Sequence, residues 1–252
     1  MRDSGDEIDL EVLTYSAAVQ RITDRVVVRL GEVDGPMKIL EAGCGRRWEI
    51  QLEPDDYHLT GVDLDEHALD HRRLVTADLD IGVVGSVTDR NVVPLGQYDL
   101  VHSAYVLEHV SGARIALENF VAWAAPAGLI VMMLPNRDSV YGWAARHTPY
   151  RVHVWIYRYL FGNPDAGKPG FSPYPTNHDP VLGVKALNAF CQSRDLSIQE
   201  WFAIDTFAQR GGTKYALVRS GMRIVRWLSF GRLSDRAVDL GIVLQVPLES
   251  EL

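Results

Sequence analysis

Lys38 to Trp48 reads K-I-L-E-A-G-C-G-R-R-W, and it holds the residues most suited to gripping a ligand. A short apolar run, Ile39 and Leu40, ends in the acid Glu41 and then turns through Gly43, Cys44 and Gly45. Glycine permits positive φ and lets backbone N–H groups come close to a bound molecule. Further on, His58 to Val62 forms a second apolar run that ends in Asp63. An acid at the end of such a strand can accept both hydroxyls of a ribose. A dinucleotide fingerprint would need a third glycine where Trp48 stands. The pattern therefore points to a nucleoside ligand that has no pyrophosphate.

Proton chemistry has several candidates. His102, His109, His147, His153 and His178 fall near predicted strand ends or in an irregular segment after them. A neutral imidazole is the usual acceptor for a hydroxyl proton. His147 is the first choice for a general base, followed by His109 and His178. Glu108 and His109 form an adjacent acid–imidazole pair, a partial ligand set for a hard cation. Cys44 has nothing around it that would depress a thiol pKa, so it reads as a small filler of the turn.

The elements that must position these residues alternate between strand and helix. Apolar positions Leu13, Ala17, Ile22, Val26 and Leu30 have helical spacing, within a predicted N-terminal helical cap over residues 1–34. Strands are expected at Met37–Ala42, His58–Val62, Ile81–Gly85, Tyr98–Ser103 and Leu129–Leu134. Helices are expected at Trp48–Leu52 (brief), Ala113–Ala124, Val184–Ser193 and Lys214–Phe230. A strand at Leu196–Ala203 and a closing strand at Ala237–Val246 complete the chain. Continuous apolar strands between helices predict a parallel sheet covered on both faces, with ligands outside its carboxyl edge. Residues 136–182 break the alternation with aromatics and turn residues and read as a lid or acceptor-binding insertion within one domain, 1–252. Its rings suit a flat or sugar-like acceptor and equally suit a small separate core. Asn136, Arg137 and Asp138 are placed to orient hydroxyls.

With 25 Lys and Arg against 33 Asp and Glu, the formal net charge is −8, which argues against a nucleic-acid partner. Two cysteines exclude a disulfide framework and fit a reducing compartment. The acidic start lacks the apolar core of a secretory signal, and no apolar stretch reaches spanning length, so a cytoplasmic location is expected. Arg219, Arg223 and Arg226 share one helical stripe beside Val218, Met222, Val225 and Leu228. That amphipathic pattern fits packing on its own domain, a homodimer contact or an acidic membrane surface.

I-L-E-A-G-C-G, L-T-G-V-D-L-D, Y-D-L-V-H-S-A-Y-V-L-E-H-V and P-A-G-L-I-V-M-M-L-P-N together resemble the class I S-adenosylmethionine-dependent methyltransferases. The match covers residues 35–135 well and the rest by architecture only. It implies an α/β, Rossmann-like, doubly wound sheet of seven strands whose last strand is antiparallel. It also implies that Glu41, Gly43, Cys44 and Gly45 shape the loop for the methionine part of the cofactor. Asp63 would bind the ribose and Leu64 would flank the adenine. Ser86 and Val87 stand where the family usually has an acid near the adenine amine, with Asp89 and Asp78 as alternatives. His102 and Ser103 would face the reacting methyl. Some O-methyltransferases, including ubiquinone-pathway and small-RNA enzymes, bind magnesium through Glu-x-x-Glu-His. Here Tyr105 occupies the first position, leaving Glu108 and His109 as partial ligands.

The chain also resembles high-GC bacterial methyltransferases of glycan and natural-product pathways. The resulting expectation is methyl transfer to a hydroxyl of a small molecule, preferably a sugar or oligosaccharide. Its rivals are carbon or nitrogen methylation, a nicotinamide-dependent oxidoreductase, and a non-catalytic cofactor-binding protein.

Overall fold

A computed structural model describes residues 10–159, 162–168, 173–177, 179–208 and 211–248. Its elements, in chain order, are β1 (Val12–Leu13), α1 (Tyr15–Leu30), β2 (Met37–Ala42), β3 (Tyr57–Asp63), α2 (Glu66–His71), β4 (Ile81–Val84), β5 (Tyr98–Ala104) and α3 (Ala113–Trp123). There follow β6 (Ala124–Pro135), α4 (Val140–His147), α5 (Tyr150–Tyr159), α6 (Val184–Ser193), β7 (Ser197–Ile204), α7 (Thr213–Leu228) and β8 (Asp239–Gln245).

One sheet holds all the strands, in the order β1-β7-β8-β6-β5-β2-β3-β4. β8 runs antiparallel to both β6 and β7, as expected of the closing strand. The other pairings are parallel. The sheet therefore has eight strands, not seven. The extra one is Val12–Leu13, which pairs with Ala203 and Ile204 at the edge. Helix α1 starts only after it, where the Thr14 hydroxyl accepts from the Ala17 N–H as N-cap.

Alternating side chains divide each strand between two cores. Leu40, Val101 and Ile130 pack with α3 and α6 on one face, while Ile39, Leu100 and Val131 pack with Ala18, Ile22 and Val26 of α1 on the other. The brief helix expected at Trp48–Leu52 is absent; that stretch has no regular structure, and a single 3₁₀ turn follows at Pro54–Asp56. Five residues between a glycine turn and a proline are too few to pay the nucleation cost of a helix. α2 and the helical turn after it, Arg72–Thr76, went unforeseen.

The insertion expected to form a lid contains α4 and α5. Val140 of α4 joins Phe207, Met222 and Val238 in a third small core, with Tyr141 and Tyr215 against it. Other rings of the segment, Trp143, Tyr150, Trp155, Tyr159 and Tyr174, are exposed. No described helix is long and apolar enough to cross a membrane.

Candidate functional site

Leaving β2, the chain adds β3 and β4 on one side and then crosses to β5 and β6 on the other. The crevice at such a switch point, beyond the carboxyl ends of the strands, is where doubly wound sheets bind ligands. The Gly43–Gly45 turn sits there. Gly43 and Cys44 N–H both donate to the Val62 carbonyl, at 2.8 and 3.1 Å. Gly45 N–H donates to Asp63 Oδ2 at 2.8 Å, and Asp65 N–H donates to Asp63 Oδ1 at 2.9 Å. The glycine turn and the β3 acid thus form one unit. Each carboxylate oxygen accepts two hydrogen bonds readily, so Asp63 retains capacity on both.

The two glycines have different reasons to be glycine. At Gly43, φ is +77° and an added Cβ would lie 2.4 Å from Val106 Cγ2, because the loop after β5 presses against the turn. At Gly45, φ is +49° and an added Cβ would meet nothing within 4 Å. That open space lies beside Asp63 and next to Leu64, which is 75% exposed. Gly43→Ala should therefore cost more than the ~1–2 kcal/mol of a left-handed residue alone, whereas Gly45→Ala should cost about that much. Urea denaturation midpoints of the two variants will test this, and Val106→Ala should recover only the steric part of the Gly43→Ala loss.

Glu41 acts from behind the turn. Its carboxylate accepts from Nη1 of Arg72 at 2.9 Å; the same nitrogen donates to the Cys44 carbonyl at 3.0 Å, and Arg72 Nε donates to Asp78 Oδ1 at 2.7 Å. Arg72 is wholly buried. Burial pushes Glu41 up to about 8 against the pull of Arg72. Cys44 faces inward too, its thiol raised to about 12 by burial and then by Glu41. It is a filler packed on Gly61, with no nucleophilic role. Nothing in the sequence pattern marked Arg72.

Beyond β4, Ser86 Oγ lies 2.8 Å from Thr88 Oγ1, while the buried Val87 offers its carbonyl to Asn119. The alternative acids are engaged elsewhere: Asp78 by Arg72, and Asp89 by the N–H of Asn91.

At the end of β5, Ser103 Oγ donates to the Ala42 carbonyl and His102 is buried edge-on against Trp48. Burial, then the Arg72 charge, lowers His102 to about 4, so it is neutral. Both side chains lie inside the sheet. The partly exposed residues are the next three, Ala104, Tyr105 and Val106. Tyr105 has φ +57°, an outlier of the kind that collects at working sites, and its hydroxyl donates to Asp239 Oδ2 at 3.3 Å. Tyr15 lies close to Glu49, and burial raises both phenols far above their ordinary value. Tyr15, Glu49, Tyr105 and Asp239 thus form a polar floor at the carboxyl edge that sequence reasoning missed, because it joins four separate segments.

Glu108 is buried, Oε2 has no hydrogen-bond partner among the described residues, and burial pushes its carboxyl up to about 8. His109 is partly buried. Its Nδ1–H donates to the Pro175 carbonyl at 2.8 Å, which leaves Nε2 as the acceptor, 3.8 Å from Glu108 Oε1. Burial lowers its pKa below the ordinary histidine value. Asn177 straps the same loop, its backbone and side-chain N–H groups donating to the carbonyls of Glu108 and His109.

The remaining candidates are dispersed. His147 is exposed on the last turn of α4, stacked on Trp143, with Nδ1–H donating to the Trp143 carbonyl. His153 contacts the Thr148 hydroxyl. His178 lies outside the described residues. Asn136 is buried and serves the backbone, donating to the Ala237 carbonyl and accepting from Asp138 N–H. Among the described residues no group of three His, Cys, Asp or Glu side chains could hold a metal ion. The magnesium site therefore lacks support: among the described residues Glu108 and His109 gain no third ligand.

No curated protein matches the sequence. Among solved structures, the chain is similar to loganic acid methyltransferase with SAH at TM-score 0.58 and 15% identity, covering 92% of each chain. It is also similar to the [4+2]-cyclase SpnF (TM-score 0.53, 13% identity, 94% of this chain and 85% of that one). Geranyl diphosphate methyltransferase in complex with GPP and sinefungin gives TM-score 0.51 at 16% identity, over 91% and 78%. At such identities the likeness shows the fold, which is that of S-adenosylmethionine-dependent methyltransferases. The model of the methyltransferase-domain family matches residues 15–168, a stretch that includes the glycine turn, Asp63 and the loop after β5, and the chain belongs to that family.

Proposed function

We propose that the protein transfers a methyl group from S-adenosylmethionine to a hydroxyl of a small, ring-shaped acceptor, with a sugar as the preferred class. The observation that carries this reading is the hydrogen bond joining Gly45 to Asp63 beside open space. The residues there fit the cofactor. Asp63 has lone pairs free for two ribose hydroxyls, Leu64 offers an apolar face to adenine, and Ser86 supplies a hydroxyl at the adenine edge. When bound, the cofactor would supply a sulfonium methyl whose carbon an acceptor oxygen attacks in line, with S-adenosylhomocysteine leaving as the neutral thioether.

The chain's own task is to align the acceptor and take its proton. Nε2 of His109, left as the acceptor by the Nδ1–H bond to Pro175 and kept neutral by burial, suits that step. Neutral Tyr105, tied to Asp239, and neutral Tyr15 can orient further hydroxyls. The exposed rings of Tyr150, Trp155 and Tyr174 offer stacking faces for a sugar. A fold shared with a cyclase does not fix the reaction, so transfer itself must be measured.

The test begins with binding. S-adenosylhomocysteine should bind the wild-type chain by calorimetry, and Asp63→Asn should weaken it roughly 100-fold, the loss of two charge-assisted hydrogen bonds at ~1.5 kcal/mol each. NAD binding in preference to S-adenosylhomocysteine would sink the reading. Labelled-methyl transfer to a panel of glycans and phenols, set beside carbon and nitrogen acceptors, then assigns the atom.

A further inference from the structure

Helix α7 turns a second apolar face to solvent. Met222 is buried and Tyr215, Val218 and Val225 pack against the small third core. On the opposite side, Leu217, Ile224 and Leu228 are 68, 58 and 61% exposed, and Trp227 and Phe230 are 77 and 92% exposed. Positions 217, 224 and 228 fall on one line along the helix. A helix in a globular protein ordinarily hides its single apolar stripe and leaves the other face polar.

Charge is segregated onto this same element. Between Asp205 and Asp235 the sequence has Arg210, Lys214, Arg219, Arg223, Arg226 and Arg232 and no acidic residue, in a chain of net charge −8. Arg226 pairs with Asp235 at 3.2 Å, but Arg219 and Arg223 have no acidic partner among the described residues. Those two arginines line a surface cleft of about 290 Å³ with Gly212, Ala216 and Ser220.

We propose that the outer face of α7, continued to Phe230, docks on an anionic phospholipid bilayer. Leu217, Ile224, Trp227, Leu228 and Phe230 would enter the boundary between headgroups and acyl chains. Arg219 and Arg223 would lie at phosphate level, the cleft between them receiving a headgroup. Tryptophan is itself favoured at that depth. A second copy of the chain fits less well. A two-fold contact would set Arg219, Arg223 and Lys214 against their own images, with no acid in the helix to answer them. The rest of the protein is acidic, so an anionic surface repels it and attachment must run through this patch. The inference is independent of the methyltransferase reading.

Flotation of the full chain with vesicles will test it. Binding is expected to phosphatidylglycerol-containing vesicles at low salt, with little to pure phosphatidylcholine and release as salt rises. The Arg219→Gln/Arg223→Gln pair should lower partitioning about 30-fold, at about fivefold per arginine. Leu217→Ser/Ile224→Ser should also detach the protein. Both double variants should keep the wild-type melting temperature, because the side chains face outward. Absence of flotation on anionic vesicles would overturn the proposal, as would flotation that the arginine variant leaves intact. So would equal binding of free glycerol phosphate with no vesicle association, which would mark a soluble-anion site. A dimer in light scattering that Leu217→Ser/Ile224→Ser dissolves, without vesicle binding, would assign the face to a second copy.

Discussion

Replacing His109 with alanine is expected to lower kcat by roughly 10²- to 10⁴-fold, the range for removal of a positioned general base. Affinity for S-adenosylhomocysteine should change little, since the ring lies on the loop after β5, apart from the nucleoside contacts proposed at β2 and β3. Burial holds His109 below the usual histidine value, so its basic form persists at neutral pH and the acid limb of kcat should fall below about pH 6.5.

Glu108 shapes the alkaline side. Its folded pKa, about 8, lies above the unfolded value of about 4.5. The folded state therefore holds the extra proton between those values, and stability falls as pH rises through that window. Ionisation above about pH 8 also puts a negative charge beside Nε2. Glu108→Gln should remove its share of the stability decline, leaving the share of Glu41, and abolish the alkaline change in kcat. A pH–rate profile with thermal melts across the window checks both. Normal turnover in His109→Ala would remove the assignment, and a loss confined to His147→Ala would move the base to the exposed end of α4.

Strands were legible because each is a continuous apolar run stopped by a glycine, proline or acid. Met37–Ala42 was read to the residue, and the β3, β5 and β8 limits differ by one or two positions. β6 was read short. Pro126 and Gly128 looked like a break, yet the strand begins at Ala124 and passes through Ala127 at φ +58°. Tertiary pairing with β5 and β8 overrode that local signal.

The positive φ of Gly43 and Gly45 and the place of Asp63 at the end of β3 were legible because both are local: a turn that needs glycine and an acid at a strand end. His102 and Ser103 were expected to face the methyl; both are buried at the end of β5, His102 against the Trp48 ring and Ser103 on the Ala42 carbonyl. The floor of Tyr15, Glu49, Tyr105 and Asp239 was invisible because no short window contains it. Even the edge strand at Val12–Leu13 depends on pairing with β7, nearly the whole chain away.

Arg72 belongs to that hidden class, and its loss should be the costliest single change to stability. Arg72→Met removes a fully buried guanidinium that satisfies Glu41, Asp78 and the Cys44 carbonyl together. Removing one partner of a buried pair costs ~3–5 kcal/mol, because the other charge is left without compensation. For a chain of this size that lowers Tm by roughly 10 °C. Arg72→Lys should recover only part of this, since one ammonium cannot reproduce a planar fork with three partners.

The sign of the pH response separates lost charge compensation from lost packing. Without Arg72, burial raises the folded pKa of Glu41 further, so the folded variant takes up a proton that the unfolded chain releases until the pH nears about 4.5. The deficit of Arg72→Met should therefore grow as pH rises above about 8, where the wild-type carboxylate ionises against Arg72 and the variant's cannot, and Glu41→Gln added to it should remove that alkaline growth. A deficit that is flat with pH, and indifferent to Glu41→Gln, would mean that Arg72 serves only as bulk under the turn. If the charge account holds, the double variant will also regain part of its affinity for S-adenosylhomocysteine, because the turn that carries Gly45 to Asp63 rests on a floor whose electrostatics are again satisfied.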